Sequence, residues 1–195
     1  MNKRQFLGSA AAAVGVLPGI AVAADSGERG PTLLTVSGAI AKANRGALDP
    51  ALDQMMVKHG VAFDKGFEFD AAALRRLPVT RIKPTLEYDA KPHELAGPLL
   101  AVVIEAAGGA APDRPLLLTL RAVDGYRVAL WLADVRAYRM IVATHIDGRP
   151  LGLGGLGPQW AVYDADVLAA FKDKPLKERF GLCPWALYHI DAGLG

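Results

Sequence analysis

Cysteine is almost absent from this sequence: Cys183 is the single thiol in 195 residues. That excludes an internal disulfide and any metal site built from several cysteines. In an oxidising compartment a lone thiol is ordinarily buried and inert. Serine is nearly as scarce. Ser9, Ser26 and Ser37 are the whole supply, and none sits in G-x-S-x-G, which argues against a serine hydrolase. The four histidines, His59, His93, His145 and His189, show neither H-x-H nor H-E-x-x-H spacing, so no local metal motif exists. There is no basic run and no basic stripe interleaved with aromatics. With a formal net charge of only +2, nucleic acid is not an expected partner. Internal repeats and low-complexity tracts are missing too. The paired acids Asp164 and Asp166 read as helix caps, which leaves acid–base glycosidase chemistry without support.

What is present begins with an export signal. Residues 1–24 carry a basic start (Lys3, Arg4), an apolar middle and an A-x-A-like ending at Ala21-Val22-Ala23. Pro18 and its neighbouring glycines make this stretch a poor spanning helix, so no stable membrane span is expected after its removal. The order Lys3-Arg4-Gln5-Phe6-Leu7 approaches the twin-arginine export pattern, with Lys in place of the first Arg. The expected location is the periplasm. Residues 25–31 read as a linker and 32–195 as one domain, large enough for a core without staples. Without Lys3 and Arg4 its net charge is near zero.

Within the domain, strands outnumber helices and do not alternate with them. "LLTV" (33–36) reads as a first strand. "LDPALDQMMVKHG" reads as a helix, with Asp49 as cap, Pro50 at the first helical position and Gly60 past the end. "DAAALRRLP" repeats that scheme between Asp70 and Pro78, and "VTRIKPTLEY" reads as extended. "GPLLAVVIEAAGG" is apolar almost all round, a buried helix opened by Pro98 and closed by Gly108. "PLLLTLRAVDGYRVALWL" is a hairpin turning at Asp124-Gly125. "RMIVATHIDG", "QWAVYD" and "WALYHID" are further strands, and "DADVLAAFKDKPLKERF" starts as a capped helix that Pro175 interrupts. The expected fold class is α+β, mixed and strand-rich, not a doubly wound sheet.

"PLGLGGLGPQW" (150–160) contains a loose G-x-G-x-x-G at Gly152, Gly154 and Gly157. A dinucleotide fingerprint needs a strand directly before it and a helix opening at its third glycine. Here Asp147-Gly148 ends the strand early, and Pro158 followed by another strand replaces the helix. The readings left open are a strand connection that needs positive φ and an anion-binding concavity of backbone N–H groups.

The order of segments in the second half resembles the molybdopterin-binding oxidoreductase domain of the sulfite oxidase superfamily, especially its small exported members. The pieces are Gly97-Pro98-Leu99-Leu100, Asp124-Gly125-Tyr126, Asp147-Gly148, Gly157-Pro158 and Trp185 through Ile190. The resemblance covers about residues 32 to 192, with an apparent insertion around 41–66. The resemblance implies a mixed, strand-rich molybdopterin-binding fold, a molybdopterin cofactor and a redox partner protein. Two departures accompany it. The family's metal-ligating cysteine would lie in "PTLEYDAKPHELAG", where this chain has none and Tyr88 stands near the place. The family's G-P-x-R becomes Gly157-Pro158-Gln159-Trp160, without the guanidinium.

For a pterin pocket the resemblance implicates Tyr88 and His93 near the lost metal position, and Asp124 and Tyr126 from the D-G-Y turn. It adds Gly154, Gly155 and Gly157 as backbone donors, Gln159 or Trp160 where the Arg stood, and Arg81 or Arg121 for a phosphate. Local chemistry offers each a structural role: Asp124 a turn former, Tyr126 a cross-strand contact, His93 a loop residue, and Trp160 and Trp185 core side chains. No metal-ligating residue is named, and no catalytic one. Two functions follow. One is an exported molybdopterin-dependent oxidoreductase-like protein lacking the usual cysteine. The other is a non-catalytic periplasmic module on the same fold, binding a small molecule or a partner.

Overall fold

The computed structural model describes residues 29–109 and 115–194. The export segment and most of the linker lie outside the described residues. β1 (Leu34–Gly38) has four of its five positions buried, the mark of a strand covered on both faces. The inserted stretch that follows holds one short helix, α1 (Gln54–Lys58), before β2 (Gly66–Phe69) returns antiparallel to β1. Asp49 closes a turn ahead of the helix and does not cap it: its Oδ1 accepts the N–H groups of Ala51 and Leu52 at 2.7 and 3.1 Å, and the N-cap of α1 is Asp53, without a side-chain cap bond. The expected long helix shrinks because Asp53 leaves helical geometry (ψ 46°) and turns its carboxylate to Arg45. α2 (Ala71–Arg75) is capped as expected, Asp70 Oδ1 accepting the Ala73 N–H at 2.6 Å.

β3 (Val79–Ile82) and β4 (Leu95–Pro98) pair antiparallel, so Pro98 ends a strand and α3 (Leu100–Ala106) opens two residues later. Gly108 (φ 79°) ends α3, as the sequence indicated. β5 (Leu116–Ala122) and β6 (Arg127–Trp131) form the expected hairpin, but its turn is longer than two residues. Ala122 N–H bonds Tyr126 O at 2.9 Å, and Asp124 Oδ1 accepts the Tyr126 N–H at 2.9 Å inside the loop. α4 (Leu132–Ala137) fills a stretch that showed no pattern of its own. "RMIVATHIDG" divides at Thr144 into β7 (Ile141–Ala143) and β8 (His145–Ile146), which join different sheets. β9 (Arg149–Pro150) returns on β8 through Asp147-Gly148, both at positive φ.

β10 (Trp160–Val162) and β11 (Leu187–Leu194) complete the strands. The helix expected between them does not form; a single 3-10 turn, Leu176–Glu178, is all that appears. Its supposed caps are engaged elsewhere. Asp166 accepts the Thr85 N–H at 2.7 Å and pairs with Arg179 at 2.8 Å, while Asp164 reaches the Lys83 N–H at 3.3 Å.

Three sheets result. A five-stranded sheet runs β2-β1-β11-β5-β6, a four-stranded one β3-β4-β8-β9, and β10 pairs with β7. Only the β1–β11 pairing of the first sheet is parallel. The core fills the space between them with Leu34, Leu118, Leu120, Ile104, Ile141 and Trp160, all at most 1% exposed. A satellite cluster of Met56, Val61 and Tyr188 seats the 41–66 stretch on the five-stranded sheet. The fold is therefore mixed and strand-rich, as the sequence indicated. No helix among the described residues is long and apolar enough to cross a membrane.

Candidate functional site

The glycine loop answers to its own backbone. Gly155 N–H and Gly157 N–H both donate to Gly152 O, each at 3.2 Å. Gly154 takes φ 91° at an open surface position. A Cβ on Gly157 would sit 2.5 Å from the Leu151 carbonyl carbon, so that glycine is required by close packing. Beyond the loop, Gln159 is fully buried and its amide donates to the carbonyls of Leu33 and Leu187. Trp160 is 1% exposed and donates its indole N–H to Cys183 O at 2.8 Å. The structure thus places both side chains in the core.

Three other residues singled out from the sequence do converge. Tyr88, Asp124 and Tyr126 line one cavity of about 270 Å³, together with Glu87, Cys183 and Trp185. Its walls come from the β3–β4 connection, the tip of the β5–β6 hairpin and the segment leading into β11. The Tyr126 hydroxyl donates to Gly181 O at 2.6 Å, tying the hairpin tip to that segment. Trp185 was expected in the core; it is 38% exposed and faces the cavity with the half-exposed rings of Tyr88 and Tyr126. Lys177 supplies the one cationic side chain of this lining. Glu87 and Lys177 were not singled out from the sequence, and Cys183 was noted only as a lone thiol, because nothing local places any of them at a shared cavity. Two other concavities, of about 350 and 330 Å³, share Arg81 and Glu94, and those two are already paired at 3.4 Å.

Burial keeps two side chains of the cavity neutral. Partial burial, with the Glu87 carboxylate beside it, pushes the Tyr88 phenol up to about 12. Burial pushes the Cys183 thiol up to about 12, and Glu87 adds to that. A metal-thiolate bond needs the deprotonated, reachable form. Among the described residues, no group of three or more His, Cys, Asp or Glu side chains stands in a metal-holding arrangement. The donor set does not fit a thiolate-held metal centre. Cys183 is expected to resist a thiol reagent at neutral pH in the native protein and to react fully in denaturant. Rapid labelling of the native protein would show that the buried, protonated thiol is misassigned.

His93 lies outside this lining, in a clasp. Its Nδ1 is 2.6 Å from Asp147 and its Nε2 3.0 Å from Asp89, so with both nitrogens protonated it bonds two carboxylates. It ties the loop that bears Tyr88 to the β8–β9 turn. Asp147 first, then Asp89, raise the His93 pKa above 6.5, and His93 lowers both carboxylates. Lys91 and Arg149 face the two acids from outside. Because the folded value is raised, the clasp is complete below about pH 6.5. It loosens as pH rises through the raised value, and at the acid end it fails as the two carboxylates take up protons. An NMR titration of the His93 ring should give a pKa above the ordinary range that falls in Asp147→Asn. An unchanged value in that variant would remove the clasp. Arg121, the last residue of the sequence set, points to the face of the five-stranded sheet beneath residues 41–66.

The architecture is that of a mixed, strand-rich α+β domain with a half-aromatic cavity at the edge of its largest sheet. Its fold is similar to that of a chain in the crystal structure of the sulfane dehydrogenase SoxCD from Paracoccus pantotrophus. The two superpose with a TM-score of 0.54 at 14% identity, covering 82% of this chain and 37% of the other. At that identity the likeness is one of fold, and this chain corresponds to a little over a third of its neighbour's length. No family model matches the chain, and no curated protein matches it.

Proposed function

We propose that this chain is an exported, non-catalytic ligand-binding module on a sulfite oxidase-like fold. Its ligand is a planar heterocycle of pterin type, held between Tyr88, Tyr126 and Trp185 without a protein-bound metal. The observation that carries this reading is the state of Cys183. The only thiol in the chain borders the cavity but is 4% exposed and protonated, so the soft ligand expected of a molybdenum enzyme is lacking there. Half-exposed aromatic rings give a planar ligand stacking surface, and Glu87 and Asp124 supply acceptors for its ring N–H groups. The signal-like residues 1–24 support export to the periplasm.

The test is metal and pterin content of the full chain, produced in cells able to make the cofactor. Molybdenum is read by elemental analysis and pterin by fluorescence after oxidation. This reading expects no molybdenum. It also expects that added pterin quenches tryptophan fluorescence in wild type and not in Trp185→Phe. Tyr88→Ala, at an exposed position, should weaken that binding about five-fold, one lost stacking contact of about 1 kcal/mol. Near one equivalent each of molybdenum and pterin would overturn it in favour of a molybdoenzyme with unusual ligation. No quenching by any pterin would also sink it.

The enzyme reading keeps two supports. The ordered motifs from Gly97 to Ile190 and the likeness of fold both point to an oxidoreductase ancestry. Because the residues present do not fit a thiolate-held metal, no chemical step is assigned to them.

A further inference from the structure

Across the five-stranded sheet, strand register sets three polar residues side by side. Thr35 on β1 is opposite His189 on β11, and His189 is opposite Arg121 on β5. All three are nine-tenths or more buried, at 0%, 1% and 8% exposure. The 41–66 stretch covers them. Phe63 stacks on the His189 ring, its centroid 6.1 Å away and its plane tilted by 14°, and the Arg45 guanidinium lies over Phe63.

This row holds an unmet demand for hydrogen bonds. Among the described residues, four buried side-chain polar atoms have no partner, and three of them are Thr35 Oγ1, Arg121 Nε and His189 Nδ1. Such concentration is unusual, since buried polar atoms are nearly always paired. Nor does any described carboxylate answer the Arg121 charge. Glu68 is taken by Arg45 and Arg29 and Asp53 by Arg45, and Asp191 stands 3.4 Å from the Ser37 hydroxyl and pairs with no cation among the described residues. A buried guanidinium N–H left without an acceptor is disfavoured.

The tautomer of His189 adds to the pattern. Ser37 Oγ lies 3.0 Å from His189 Nε2 and 3.4 Å from Asp191 Oδ1. With the hydroxyl donating to the nearer acceptor, the neutral imidazole carries its own proton on Nδ1. Burial and the charges of Arg121 and Arg45 hold His189 down to about 4, so it is neutral at physiological pH. Three donors of different kinds then lie along one row: a guanidinium N–H, an imidazole N–H and a hydroxyl.

We propose that Arg121, His189 and Thr35 form an anion site beneath the 41–66 stretch, taking a small oxyanion group. The guanidinium supplies charge and an N–H, and the other two fix the remaining oxygens. The oxygens belong either to a free tetrahedral anion or to a carboxylate, and the same donors serve both. The site is separate from the Tyr88–Trp185 cavity and does not depend on what that cavity holds.

The experiment is the melting temperature of the full chain as sulfate, inorganic phosphate or acetate replaces chloride at constant ionic strength. The site predicts a saturable rise with at least one of them. Saturation by sulfate or phosphate identifies a tetrahedral anion, and saturation by acetate a carboxylate. General exclusion of sulfate or phosphate from the surface also raises melting temperature, but without saturation and equally in all variants. Arg121→Met is expected to lose the saturable part. Should that variant fail to fold, Thr35→Val removes one donor at nearly constant shape and should shift the midpoint about five-fold. A rise that never saturates, or that saturates with the same midpoint in wild type and in the variant that folds, overturns the site. Pterin quenching of Trp185 is a separate readout, so either proposal can fail alone.

Discussion

Gly97→Ala is expected to leave the domain unable to hold its fold. Gly97 is buried in β4, and a Cβ built there would lie 1.9 Å from Val142 O and 2.7 Å from Val142 C in β7. Both backbones are fixed from other sides. β4 is paired to β3 and β8, and β7 is paired to β10. Thr144 N–H also donates to Ala96 O at 2.9 Å, locking the strands one residue away. With no flexible side chain to yield, the sheets must separate. Overpacking costs about 1–3 kcal/mol where side chains can move, and a backbone-on-backbone clash should exceed that range. Against a total stability of about 5–15 kcal/mol, the loss is disabling. Urea denaturation is the measurement, with Gly46→Ala as control because nothing lies within 4 Å of that site. The control should keep the wild-type midpoint. A Gly97 variant with an unchanged midpoint would mean that β4 and β7 do not pack as described.

The second large effect is Gln159→Glu. The Gln159 amide donates to the carbonyls of Leu33 and Leu187, joining the start of β1 to the start of β11 inside the core. A carboxylate there would face two carbonyl oxygens with no donor to offer. The expected loss is about 3–5 kcal/mol at neutral pH, the scale for an uncompensated buried charge. The penalty has a defined pH dependence. The introduced acid has a folded pKa raised above its unfolded value of about 4.3, so the variant loses stability as pH rises above that value and recovers it toward about pH 4. Gln159→Leu should lose about 1–3 kcal/mol with no such dependence, since it removes the bonds without adding charge. If Gln159→Glu unfolds like wild type and alters ligand binding instead, Gln159 faces a pocket and not the core.

How far the sequence reached is seen in particular residues. The Asp70 cap, the Gly108 stop and the β5–β6 hairpin were legible because each is a local transaction between a few neighbouring residues. Asp164 and Asp166 carried the same cap signature and misled, because their partners Lys83 and Thr85 lie 81 residues away. Tyr88, Asp124 and Tyr126 were legible as a set through the family resemblance. Cys183 was not, since nothing in its loop states that it packs under a residue from the β3–β4 connection. Arg121 was singled out only through the resemblance, for a phosphate, and its strand pattern alone does not show that it is buried. Only the insertion above it makes that face of the sheet an interior. The glycine loop had the right residues for an anion cradle, and its own carbonyl at Gly152 takes the donors.

The order of synthesis meets an awkward constraint in this topology. The strand at the middle of the five-stranded sheet is β11, made after the other four strands of that sheet, and it separates β1 from β5. While the chain is still growing, β1 with β2 and β5 with β6 can exist only as two detached hairpins. Detached two-stranded hairpins are marginal in water. Their inward faces, with Leu34, Leu118 and Leu120 among them, stay uncovered until residues 187–194 arrive and join them. Folding of this sheet is thereby deferred until β11 has been made, which leaves the nascent chain open to carriers that hold unfolded polypeptides.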